Sequence, residues 1–403
     1  MGEGEFGTAA PLVSATVNAR GGNRRLVALY CAVAFLYLMA LYLYMPTLPT
    51  YVQTKTDDLA LVGVVLSMYG LWQAVVRLPL GITADCLGRR KPFIVGGLAL
   101  AAAGAWSMGS ARGVNGLLIG RAITGLAAGT WVPLVVVFSS LFPPDEAVRA
   151  STILTLFSSA GRMIATAVTG SLNDWGGYPL AFFLAAGIAV LALFLTLVAQ
   201  EGRRPPQTPS VKAIGRLVIR RDVLLPSILS LISQHANWAA TFGFLPILAQ
   251  QLGATNVALS ALMTLNMGLI ILGNLLATAI VTRLGAQRLV YLSFVFLALG
   301  IGGAALAPSL GVIFAAQVCI GLSQGFGYPV LMGMAIRYVS DGERTTAMGL
   351  HQSIYAIGMF SGPALSGLLA EAIGVRPMFA VTGAVCLVAG LGLTRNLAER
   401  AAG

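Results

Sequence analysis

The stretch that decides the fold is "GITADCLGRRKPF", residues 81–93. It sets one acid, Asp85, and three bases, Arg89, Arg90 and Lys91, into a chain of which only 10% is charged. Apolar runs flank it on both sides. Gly81 and Asp85 are four residues apart, so they share a face where the segment closes a helix. Gly88 permits a tight reversal, and the bases after it suit lipid headgroups or acidic partners. A plain orienting loop explains the bases but not Asp85 or the two glycines.

Outward from this knot the chain is oily. Of 403 residues, 57% are hydrophobic, and the mean hydropathy is +0.84. A soluble protein of this length needs far more charge to cover its surface. Apolar runs of about eighteen residues or more recur from Leu26 to Leu393 and read as transmembrane helices. The reading gives twelve, at 26–50, 59–82, 92–111, 114–142, 150–172, 178–200, 223–250, 256–281, 288–308, 310–339, 346–370 and 376–395. The expected fold class is all-α and integral to the membrane. Residues 1–25 read as a disordered cytoplasmic tail, 26–200 and 223–396 as six-helix bundles, and the basic, Pro-bearing 201–222 as a cytoplasmic linker.

Charge sets orientation. With both ends cytoplasmic, nineteen of the 25 Lys and Arg fall on inner segments and three on outer loops. That skew favours this topology and accounts for the net charge of +11 without nucleic acid. The expected location is a bacterial inner membrane, with lipid and a small solute as partners and a monomer as the unit. Cys31, Cys86, Cys319 and Cys386 show no paired spacing, so neither a disulfide framework nor a metal site is expected.

The two halves echo each other. Gly125, Gly129, Pro133 and Asp145 recur 196 residues on as Gly321, Gly325, Pro329 and Asp341. Gly161, Gly170, Gly177 and Phe182 recur 197 residues on as Gly358, Gly367, Gly374 and Phe379, and Asp174 recurs as Glu371. Two six-helix repeats of like topology imply an axis along the membrane normal, with a site between them near the midplane. The paired small residues let helix backbones approach closely and slide.

Residues 81–91 match the signature Gly-x-x-x-Asp-x-x-Gly-Arg-Arg/Lys-Arg/Lys, and here the sequence resembles the major facilitator superfamily. The resemblance covers about residues 24–396. It implies a gating motif of Gly81, Asp85, Gly88, Arg89, Arg90 and Lys91. In it Asp85 meets the start of helix eleven, and Arg89 pairs with an acid near the end of helix four, Asp145 or Glu146. The second half keeps Gly285 and Arg288 but has Thr282 where Asp85 stands, which implies asymmetric gating. "RAITGLAAG", 121–129, resembles the helix-four signature of proton-coupled members, with Thr124 in place of Gln, and makes Arg121 a coupling candidate. The chain departs from drug-exporting antiporters in two places. Helix five lacks their proline, and helix one has no acid.

An ionisable side chain inside a span costs about 2.5–3.5 kcal/mol on insertion scales and is a functional candidate for that reason. Arg162 falls near the midplane with no acid at its depth, which implies a wet cavity or an anionic ligand. Arg77, nearer the inner end of helix two, reads as a snorkelling structural residue. Tyr37, Gln234, His235, Asn237, Trp238, Gln324, Tyr328, His351, Gln352 and Tyr355 complete the cavity set. The two histidines could replace the missing acid in proton coupling. The expected function is a secondary transporter working by alternating access, read first as proton-coupled, multidrug-like efflux, with no cofactor beyond a proton gradient. The alternatives are a uniporter or symporter of an organic anion or zwitterion, or a carrier of lipid-like cargo. An enzyme lacks a nucleophile, base or metal set, and the doubled six-helix plan argues against a channel.

Overall fold

The computed structural model describes residues 12–143, 146–199, 211–340 and 343–397, and these form helices with no strand among them. Eleven helical stretches among the described residues are long and apolar enough to cross a membrane. The first six are Arg24–Gln53, Leu59–Ala84, Lys91–Gly109, Val114–Ser139, Arg149–Gly176 and Tyr178–Val198. Spans eight to twelve are Asn256–Leu284, Ala286–Ala305, Leu310–Ile336, Thr346–Ile373 and Val375–Thr394. The seventh occupies its expected place in pieces: Arg221–Ala239, a wide π turn Ala240–Phe244, and Leu245–Gln251. The polar run from Ser233 to Asn237 shortens its apolar stretch, so it stands outside the eleven.

Two boundaries differ from expectation. The first helix begins at Leu12, so part of the segment expected to be a disordered tail is helical. No proline interrupts residues 12–25, and extending a helix that the membrane already holds costs little once nucleation is done. The linker expected at 201–222 carries a short helix, Val211–Ile219. Leu217 on it is buried against the ends of spans ten and eleven, beside Val339 and Ala347.

The repeat reaches backbone detail. The first span is also broken, with Leu12–Tyr42 followed by a 3₁₀ turn, Met45–Thr47, and the short helix Leu48–Gln53. Pro49 and Pro246 open the two outer pieces, 197 residues apart, where a missing N–H is harmless. Gly88 and Gly285 turn the chain with φ of 60° and 82°, again 197 apart. A side chain at either position would be strained.

We call the side carrying the linker helix the near face and the opposite side the far face. The halves meet where span two lies along span eleven and span five along span eight. Toward the far face they touch backbone to backbone. A Cβ on Gly367 would stand 2.8 Å from the Gly63 Cα, and one on Gly70 would run into the backbone of Met359 and Phe360. The backbone of Asn256 presses on Gly170 in the same way.

Polar contacts lock this seam. The Leu59 N–H donates to Glu371 Oε2 at 2.8 Å, and Asn256 Nδ2 donates to Asp174 Oδ1 at 2.8 Å. The Gly170 N–H donates to Ser260 Oγ at 2.6 Å, and Thr264 Oγ1 donates to Thr166 Oγ1 at 3.0 Å. Asp174 and Glu371 are 197 residues apart, as are Leu59 and Asn256. The far face is therefore sealed by two copies of one contact, in which an acid ending one helix meets the start of a helix in the other half.

Candidate functional site

Below the seal the halves enclose a row of rings with a guanidinium at each end. Arg121 from span four lies 4.2 Å over the Tyr69 ring of span two. Tyr69 stacks on Trp238 at 5.4 Å, and Trp238 stacks on Phe242 at 4.4 Å. Phe242 sits at the edge of Tyr42 at 6.4 Å, and Arg162 from span five lies 5.7 Å over the Tyr42 ring. The row crosses between halves twice, because Tyr69 and Tyr42 belong to the first and Trp238 and Phe242 to the second. Tyr42 and Phe242 stand at the breaks in spans one and seven. Those breaks place wide aromatic residues at the repeat interface, the usual position of discontinuous helices in transporters.

A third guanidinium lies on the near side of this row. Arg77 donates from Nη1 to Tyr355 Oη at 2.5 Å, tying span two to span eleven, and from Nη2 to Gln73 Oε1 one turn back. Its guanidinium stands 5.2 Å from the Tyr355 ring centroid. Tyr355 meets Tyr328 edge-on at 5.7 Å. Tyr37 donates to the Ala127 carbonyl at 2.6 Å and stacks on Trp131 at 6.2 Å.

The cluster thus holds three arginines and many ring faces. Among the described residues, no acid lies in the middle of a span, and none reaches this depth. Arg121 is 1% exposed and Arg77 9%. Arg77 Nε, Arg162 Nε, and Arg121 Nε and Nη1 are buried without a hydrogen-bond partner. Ring faces offset part of the desolvation of a guanidinium, but a buried N–H without an acceptor still costs about 1–3 kcal/mol.

Residues 30–233 and 227–401 match the profile described as Major Facilitator Superfamily. The chain belongs to the major facilitator superfamily. It is 25% identical over 347 residues to the multidrug resistance protein MdtH of Aeromonas salmonicida, covering 83% of this chain and 85% of that one. It is 29% identical over 177 residues to the inner membrane transport protein YajR of Escherichia coli, and that match spans 44% of this chain and only 38% of the relative. The solved nucleoside transporter NupG superposes with a TM-score of 0.78 at 15% identity, covering 92% of this chain and 98% of that one. The protein is a multi-pass membrane transporter of this superfamily, and not an enzyme.

Arg77 departs from the reading drawn from its position along span two. Expected as a snorkelling structural residue, it is buried and joins the two halves. Gln73, Tyr42, Tyr69 and Phe242 were also missed. A stripe at four-residue steps, Tyr69, Gln73 and Arg77, was the available signal. Of the residues expected in the cavity, Tyr37, Arg121, Arg162, Trp238, Tyr328 and Tyr355 come together.

The rest pack within the second half. Gln324 donates to Ser233 at 3.0 Å and accepts from Gln234 at 3.2 Å, while Asn237 is buried beside them on span seven. His351 is fully buried, with Nδ1 3.0 Å from Ser227 and Nε2 3.4 Å from Ser230. Nδ1 of His235 lies 2.9 Å from Ser361. Both histidines therefore join span seven to its own half. Gln352 keeps a buried Oε1 without a partner.

The superfamily gating motif lies on the near face. Gly88 makes the reversal, and Gly81, in the last turns of the helix that ends at Leu87, has open space where a side chain would stand. The side chain of Asp85 and the whole of Asp145 lie outside the described residues. Glu146 accepts from Arg149 at 2.9 Å, and Arg89 is exposed. Lys91 donates to the carbonyls of Leu197 at 2.7 Å and Ala199 at 2.6 Å, capping span six. Gln287 does the same in the second half, donating to the Thr394 carbonyl at 2.9 Å.

The linker is fastened nearby. Arg216 pairs with Glu343 at 2.9 Å, and Arg220 grips Asp222 through two N–H groups while donating to the Tyr338 carbonyl. The Arg220 hydrogen bonds hold the Asp222 carboxyl below its usual range and raise Arg220 itself.

Proposed function

We propose that this protein moves an amphipathic organic anion across the membrane by alternating access. The observation that carries the reading is the ring row flanked by Arg121 and Arg162, with Arg77 below it and no carboxylate at that depth among the described residues. Ring faces suit the apolar body of a cargo, and the guanidiniums suit its acid group. With the charge bias setting the near face as cytoplasmic, the far-face contacts would close the site to the outside. The site would take or release its cargo on the cytoplasmic side in this state.

A second reading, proton-coupled efflux of drug-like cargo, draws on the printed name of the Aeromonas relative. It needs a proton carrier, and away from the helix ends the described spans supply the two histidines and no acid. Their serine partners support a packing role for His351 and leave His235, which is half-buried, as the candidate carrier.

The two readings separate in proteoliposomes loaded with a radiolabelled aromatic carboxylate such as 2-naphthoate. An anion carrier moves it with a net negative current, even without a pH gradient, and Arg162→Ala abolishes the flux. Movement that requires a pH gradient and disappears in His235→Gln would support proton coupling instead. The absence of any anion flux in either arrangement refutes the anion reading.

A further inference from the structure

The three guanidiniums are not equivalent, and their differences say where an acid group would dock. Arg121 is enclosed within the first half under the Tyr69 ring. Arg162 rests on Tyr42, also in the first half. Arg77 alone of the three bonds across to the second half, through Nη1 and Tyr355. Its Nη2 is held by Gln73 of its own helix, and its Nε is buried without a partner.

We propose that the cargo is a carboxylate whose two oxygens take the side edge of the Arg77 guanidinium, Nε and Nη2, and that Tyr355 is the positioning residue that holds this edge in register. The assignment rests on the anion reading and adds to it a docking group and a headgroup class. A carboxylate matches one guanidinium edge with two parallel N–H···O bonds. Gln73 needs only to swing its amide away to free Nη2, because both residues sit on one helix a turn apart. Nε then gains the acceptor it lacks.

A phosphate dianion fits less well. It asks for more donors than one edge, and the neighbours of Arg77 on span eleven and span ten are phenols, not cations. The apolar body would lie toward the Tyr69–Trp238–Phe242 row, because Tyr69 lies two turns from Arg77 on the same face of span two. Binding would then load a residue bonded to both halves. Tyr355 transmits the event to span eleven, which also carries Glu371 of the far seal.

The test uses the full chain in lipid nanodiscs, with 2-naphthoate and its neutral amide 2-naphthamide as probes in titration calorimetry. The wild type is expected to bind naphthoate more tightly than naphthamide by about tenfold or more, the size of one charge-assisted pair. Arg77→Gln should bring that ratio close to one by weakening naphthoate more than naphthamide, and circular dichroism with a thermal midpoint close to the wild type's shows that the variant is folded. Arg77→Lys keeps the charge but not the fork and should recover only part of the ratio. Tyr355→Phe should weaken naphthoate by roughly threefold to tenfold, the range of one lost neutral hydrogen bond, and leave naphthamide alone. A full carboxylate preference in both Arg77 variants overturns the docking assignment and leaves the anion reading standing. A wild type with no preference for the carboxylate, including one that binds neither probe, overturns both.

Discussion

Removing the two acids of the far seal should shift the balance between the sealed state and one open on the far side. Glu371 accepts the N–H of Leu59 at the start of span two, and Asp174 accepts the amide of Asn256 at the start of span eight. Both contacts are exposed, so each is worth less than a buried charged hydrogen bond. About 0.5–1 kcal/mol per contact is the appropriate scale. The helix-start position of Leu59 adds a few tenths of a kcal/mol for Glu371. Asp174→Ala with Glu371→Ala together should therefore cost the sealed state about 1–2 kcal/mol, and shift the sealed-to-open ratio by roughly 5- to 30-fold.

Electron-electron distance measurements can read this shift. With Cys86 replaced by Ser, spin labels go at Arg112→Cys and Leu306→Cys, exposed far-face positions in opposite halves that lie outside the seam. The double variant should show a longer-distance population that is small or absent in the parent. Glu371→Gln, which keeps an acceptor without the charge, should fall between. A double variant with the parent's distance distribution refutes a sealing role for the two acids, because the backbone-close glycine contacts would then hold the far face by themselves.

Those glycine contacts give a complementary expectation. Gly70→Val drives a side chain into the Met359–Phe360 backbone and should disfavour the sealed state by about 1–3 kcal/mol, read as a lowered thermal midpoint in detergent; an unchanged midpoint contradicts the close approach. Cys86 is exposed next to the gating motif, so an impermeant maleimide should label it in inside-out vesicles and not in right-side-out ones; the reverse pattern inverts the assigned orientation. Asp222 has its carboxyl held low by Arg220, so its contribution is present above the usual carboxylate range near pH 4 and fades as pH falls below it. The thermal midpoints of the parent and Asp222→Asn should differ at pH 7 and converge in acid, and a gap that persists there would remove Arg220 as the cause.

The sequence was legible wherever one residue type has one physical consequence. A run of apolar residues long enough to span hydrocarbon has few alternatives to a helix, so eleven spans fell where hydropathy placed them. Gly88 announced its own turn, since few other residues accept that backbone angle. The seventh span was placed correctly, but its π turn was not foreseen. A π turn is one extra residue in a helical circuit, and hydropathy is blind to it. The break in span one had a signal in Pro46 and Pro49, which read more easily as ordinary membrane-helix prolines.

Residue partners were legible only in part, because partnership is set by which helix faces which. His235 and His351 looked like proton carriers in a chain without mid-membrane acids. The fold brings serines against both, Ser361 for His235 and Ser227 and Ser230 for His351, and order along the chain does not disclose such partners. Arg77 looked like a lipid-facing base by its distance from the helix end, and only the packing of span two on span eleven made it a bridge. Sequence by itself determined the spans, their doubled plan and the absence of any carboxylate at depth, since these follow from composition and order along the chain. Tertiary structure decided which guanidiniums meet which rings and which face is sealed, because both depend on the rotation of whole helices against each other.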